Sequence, residues 1–150
     1  MVTVTLTHPS INSGTAVRVL CDNVTVSGKK NNKYDPNANL TGDIVEVQTQ
    51  SIENPMYRVQ GIHFTGASGT LTYPMFLTLY RHKYGGAAET GALAPVTLNV
   101  TYGSGTALVG VDGSTTNIKV IMEDFNFPID VKDSAGGYLP IGNANFRETS

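Results

Sequence analysis

"VTVTLT" (Val2–Thr7) alternates apolar and polar side chains with a period of two. Successive strand residues face opposite sides of a sheet. Val2, Val4 and Leu6 therefore share one face, and Thr3, Thr5 and Thr7 share the other, as in a half-buried strand. His8-Pro9-Ser10 ends the run, because proline lacks the donor that a ladder needs. The same period recurs through most of the chain. Residues 16–20 and 24–27 form one or two further strands, and Ile44, Val45 and Val47 alternate with Glu46, Gln48 and Gln50. Residues 56–64 form a longer strand in which Gly61 marks a bulge or a close backbone approach. Val96, Leu98, Val100 and Tyr102 alternate with Thr97, Asn99 and Thr101. Residues 103–125 read as strand, Asp112-Gly113 turn and strand, with Ile118, Val120 and Met122 on one face. The chain closes with a strand, a turn at Ser134–Gly137 and a last strand. Pro128 and Pro140 make this final hairpin irregular or place it at an edge.

One segment breaks the period. "LTYPMFLTLYRHKYGG" (Leu71–Gly86) carries helix signals at both ends. Thr72 is placed as N-cap, and Pro74 falls in the first turn, where its missing donor costs nothing. Arg81, His82 and Lys83 meet the negative end of the helix dipole, and Gly85 supplies a left-handed exit. The pattern predicts a helix over about 73–84 whose core face is Tyr73, Phe76, Leu77, Tyr80 and Tyr84. No shift in composition and no repeat divides residues 1–150, so one domain is expected. Its class is mainly β: two packed antiparallel sheets, as a sandwich or partly closed barrel, with the short helix covering one end or face.

Charged residues make up only 15% of the chain, so its polar surface is built largely from Thr, Asn, Ser and Gly. A net charge of −2 provides no general field for nucleic acid or an acidic membrane. Cys21 is the single cysteine, which rules out an internal disulfide and fits a buried, inert thiol. "MVTVTLTHPS" has neither the basic start nor the apolar run of a signal peptide, and no stretch has the length of a membrane span. Use without secretory export is therefore expected. On that expectation, the glycosylation patterns at Asn23, Asn39 and Asn99 are chance matches in a Thr/Asn-rich chain.

The residues that carry chemistry are scattered. His8, His63 and His82 lack metal-ligand spacing and have no cysteine pair to join. The pairs Glu123-Asp124 and Asp130/Asp133 lie at strand ends and beside a turn, where such groups cap and solvate. No nucleophile elbow and no phosphate cradle with its lysine is present. The expectation is a protein that is not an enzyme and has no cofactor or metal.

What remains is "GKKNNKYDPNANLTG" (Gly28–Gly42), read as a long polar loop between two strands. Compact hairpins turn in far fewer residues, and long loops are commonly functional. Tyr34 and Leu40 give it apolar groups to bury, and Asp35-Pro36-Asn37 favours a turn. Lys29, Lys30, Asn31, Asn32, Lys33, Tyr34, Asp35 and Leu40 are therefore the expected contacts to a neighbouring subunit. Val/Thr strands with few charges also leave sheet edges weakly protected against pairing.

Three stretches carry a family resemblance: "GKKNNKYDPNANLTGDIVEV", "LTYPMFLTLYRHKYG" and "NIKVIMEDFNFPIDVKDSAGGYLPIGNANFRET". Their order of loop and strand, helix, and closing hairpin resembles the tail-tube proteins of tailed phages and related injection machines. The resemblance implies a structural virion subunit that self-assembles head-to-tail into stacked rings around a DNA channel. Its partners would be copies of itself, other tail proteins, and DNA passing without specific binding. It would be made in the host cytoplasm and reside in the virion tail. The alternatives are a capsid decoration protein, a baseplate or tail adaptor, a non-viral filament subunit, or a β-sandwich binding module.

Overall fold

A computed structural model describes residues 2–35, 46–82, 91–128 and 141–149. In chain order the strands are β1 (Val2–Thr7), β2 (Val17–Val19), β3 (Asn23–Asp35), β4 (Glu46–Ile62), β5 (Val96–Tyr102), β6 (Thr106–Ala107), β7 (Ile118–Asn126) and β8 (Gly142–Glu148). The single α-helix among the described residues, α1, is Tyr73–Arg81. Asn12–Gly14 and Gly91–Leu93 form short 3-10 turns.

All eight strands join one antiparallel sheet in the order β2-β1-β5-β7-β8-β4-β3, with β6 attached to β5. The sheet is not closed into a barrel. Its two terminal strands, β2 and β3, are nonetheless consecutive in the chain. Only residues 20–22 separate them. Along this link Leu20 bridges to His63, and the Asp22 amide donates to the Gln60 carbonyl at 2.9 Å. The chain thus leaves the β1 side of the sheet and joins β4 on the other, which curls the sheet around one core. The two layers anticipated from the alternation are parts of this one ladder. A period of two records which face is buried, and carries no information on which strand lies alongside.

The register brings the expected apolar faces together. Val4 lies opposite both Val19 and Val100, Leu6 opposite Val17 and Leu98, and Val96 opposite Val120. Tyr57, Val59, Ile118, Ala144 and Phe146 complete the same buried cluster. Each of the Val, Leu, Ile and Phe side chains contributes about 1.5–3 kcal/mol on burial.

Gly61 serves both roles expected of it. The register of β4 on β8 shifts between Gln60 and Ile62. Gly61 itself has φ +75°, and a Cβ there would collide with the Asp22 carboxylate. Elsewhere the strands differ from expectation. The strand before the Asp112 turn shrinks to β6, and Asp112 instead accepts from the amides of Ser114 and Thr115 in a tight turn. The closing strands are not an edge hairpin, because β8 pairs with β7 on one side and β4 on the other. β7 ends before Pro128, which is how this central strand escapes the lost donor. Pro140 and the Ser134–Gly137 turn lie outside the described residues.

The helix begins as expected. Thr72 Oγ1 accepts from the Met75 amide at 3.4 Å, and Pro74 lies in the first turn. It stops at Arg81, with His82 as an extended C-cap; Lys83, Tyr84 and Gly85 lie outside the described residues. Its buried residues are Phe76 and Leu79, so the core face is rotated from the expected one. Tyr73 packs against the core at the side, Leu77 is half-buried, and Tyr80 is exposed. The reason is the aromatic cluster that α1 meets. Phe76 sits edge-on to Phe125 at 5.1 Å and Phe127 at 5.4 Å, while Phe64 meets Phe76 at 6.0 Å and Tyr73 at 5.8 Å. These ring geometries centre the helix on Phe76 and leave Tyr80 at the rim, edge-on to Phe125.

Candidate assembly surface

The stretch expected to be a loop over Gly28–Gly42 is, up to Asp35, a strand. β3 follows β4 from Asn23 opposite Gln60 to Asp35 opposite Glu46. Lys33 opposite Gln48 and Tyr34 opposite Val47 are part of that ladder. Leu40 and the rest of 36–45 lie outside the described residues. Polar composition concealed the strand: Gly, Lys and Asn are poor strand formers, but pairing with β4 overrides that weak preference.

β4 is the longer partner. It pairs with β8 only from Met56 to Ile62. Among the described residues, 28–35 and 46–55 therefore make a two-stranded ribbon with no third strand on either side. At about 3.3 Å per residue it runs roughly 25 Å beyond the sheet. Register shifts between Ser27 and Lys29 and between Asn31 and Asn32 bend and twist it where it departs.

The base of the ribbon is anchored. Arg147 on β8 donates Nη1 to the Asn54 carbonyl at 2.9 Å, at the point where β4 leaves β8. The same guanidinium pairs with Glu123 on β7, and that hydrogen bond raises the arginine's pKa. Beside this anchor, Ser27, Gly28, Lys29, Glu53, Asn54, Met56 and Arg147 line a shallow cleft. Further out, Asn31 Nδ2 donates to Ser51 Oγ at 2.7 Å. Asn32 Oδ1 is buried without a partner among the described residues. Lys29 and Lys30 are exposed, as are two large apolar groups, Val26 (48%) and Ile52 (64%). A ribbon of two strands is marginally stable alone. Among the described residues this one offers unpaired backbone edges together with the uncovered Ile52 side chain.

The structure brings Lys29, Lys30, Asn31 and Asn32 onto one element, with Lys33, Tyr34 and Asp35 continuing its backbone. Ile52 and Val26 were not anticipated. The only signal was an apolar residue within a polar run, which a single sequence does not distinguish from core.

The scattered chemistry stays scattered. His63 bonds the Gly61 carbonyl through Nδ1 at 3.2 Å. Asp124 accepts from Asn145. Asp130 and Asp133 lie outside the described residues. Cys21 is half-buried, and burial, with the Asp22 charge, raises its thiol pKa. Among the described residues no three His, Cys, Asp or Glu side chains gather as metal ligands. No described helix is long and apolar enough to cross a membrane. Two groupings had no sequence signal: Glu148 buried against Tyr57, and His8 against His82.

No protein-family model matches the chain, and no curated protein matches it in sequence.

Proposed function

We propose that the chain is a structural subunit that assembles with copies of itself, and that its assembly is a virion tail tube of stacked rings. The observation that carries this reading is the β3–β4 ribbon, which among the described residues presents two open strand edges and the exposed Ile52, with exposed Val26 at its base. An open edge is a template for another chain. Lys29, Lys30 and Lys33 on β3 disfavour a symmetric β3-to-β3 contact by setting like charges near one another. A head-to-tail contact avoids that repulsion, and a head-to-tail contact whose rotation closes makes a ring. The tail-tube resemblance supplies the further step from ring to tube, and DNA passage follows from it. A net charge of −2 suits a channel that does not retain phosphates.

Negative-stain electron microscopy of the purified protein at high concentration tests the reading. Rings or open tubes are the expected result. Discrete trimers would favour a decoration protein or adaptor, and monomers at every concentration would overturn self-assembly.

A further inference from the structure

We propose that His8 and His82 form an acid-sensitive latch that fastens the 9–15 turn, the end of α1 and the 91–95 segment together at neutral pH. His8 follows β1 and is 1% exposed. Both of its ring nitrogens are engaged. Nδ1 accepts from the Ser10 amide at 3.1 Å, and Nε2 lies 2.9 Å from the Ala94 carbonyl. Those partners dictate the tautomer: Nε2 carries the hydrogen, Nδ1 is bare, and the ring is neutral. A second proton on Nδ1 would face the Ser10 N–H, donor against donor.

The His82 ring stands edge-on to His8, with centroids 4.4 Å apart. Its Nε2 is buried without a hydrogen-bond partner among the described residues. Protonating both rings places two cations edge to edge. Among the described residues the surroundings offer little compensation. The 9–15 turn, β5 and the 91–95 segment carry no charged side chain. α1 contributes Arg81, and β7 contributes Lys119 to the pocket that His8 lines. The acids of β7, Glu123 and Asp124, are bonded to Arg147 and Asn145. Burial, followed by the His82 charge, lowers the His8 pKa, against an opposing contribution from the Ala94 bond.

The latch also holds strain. Asn12 (φ 45°) and Ser13 (φ 52°) both sit in the left-handed region, which costs non-glycine residues energy. This turn is tied to His8 twice, through the Ser10 bond and through the Ile11 amide to the His8 carbonyl at 3.2 Å. Releasing the ring lets the turn relax.

The sign follows from linkage. An opened His8 takes up a proton near its ordinary pKa of 6.5, and the latched one only at lower pH. The latched state is fully favoured above 6.5 and loses ground as pH falls below it. The His8 proton gives at most about a tenfold increase in the opening constant per pH unit below 6.5.

Hydrogen exchange between pH 7.5 and 5, corrected for intrinsic rates, reads the opening, and imidazole NMR reads the two rings. The expected result is a loss of protection confined to residues 8–15 and 91–97, with the β7–β8 ladder unchanged. His8 should titrate below the ordinary range, rise when His82→Phe removes the neighbouring charge, and that variant should show a shallower pH slope. His8→Leu should abolish the pH dependence. Protection in these segments that does not change with pH would overturn the latch, as would loss that is equal throughout the chain.

Discussion

The Tyr57 hydroxyl donates to Glu148 Oε2 across 3.4 Å inside the protein, joining β4 to the end of the last strand. The same carboxylate accepts from the Val111 amide at 3.0 and 3.1 Å, so one buried acid fastens the 108–113 segment to the sheet. Gly110 leaves room for it, since a Cβ there would strike Glu148 Oε1.

Glu148→Ala leaves the Tyr57 hydroxyl and the Val111 amide without their acceptor. The expected loss is about 2–3 kcal/mol of stability, measured by urea denaturation. Tyr57→Phe removes one donor only and should cost about 1 kcal/mol.

Burial first, then the Glu148 charge and hydrogen bond, push the Tyr57 phenol up to about 12 from its ordinary 10. The unfolded chain therefore loses this proton at a lower pH than the native one. The contribution is intact below pH 10 and declines as pH rises above it towards 12. Denaturation midpoints between pH 9 and 11 should fall less steeply in Tyr57→Phe than in the wild type.

The rotated helix face sets an order of costs. Phe76→Ala should lose about 3–5 kcal/mol and Leu79→Ala about 2–5 kcal/mol. Leu77→Ala, on a half-buried position, should lose about 1 kcal/mol or less. Thermal melts of the three variants check this; a Leu77 cost matching that of Leu79 would return the core to the face predicted from spacing.

Gly61→Ala combines a left-handed backbone with a collision against Asp22. Adding Asp22→Ala removes the two closest colliding atoms, Oδ2 and Cγ, and leaves the contact with the Asp22 Cβ and the backbone cost of about 1–2 kcal/mol. A double variant no more stable than Gly61→Ala would mean that the Asp22 contact is not the obstacle.

The ribbon should be dispensable for folding and required for assembly. Ile52→Lys, or removal of residues 31–39, should preserve the circular dichroism spectrum while lowering light scattering at high concentration. Ile52 is exposed, and a substitution at such a position changes stability by about 0.5 kcal/mol or less. Loss of fold together with assembly would make the ribbon part of the core.

Residues 2–7 and 96–102 show what the sequence by itself determined. Their period of two set the strands and the buried face, because alternation across a pleat is local geometry. Thr72 and Pro74 likewise marked where α1 begins, through backbone groups only a few residues away. Gly61 announced its bulge because only glycine tolerates that backbone and that neighbour together.

The tertiary structure alone decided which strands are neighbours. It folded the expected two layers into one curled sheet, placed β8 in its middle, and turned α1 onto Phe76 and Leu79. It also drew the polar stretch Gly28–Asp35 into a ladder with β4 and paired His8 with His82 across 74 residues of sequence. Such choices rest on contacts between distant segments, where burial and pairing outweigh local preference, and no local pattern records them.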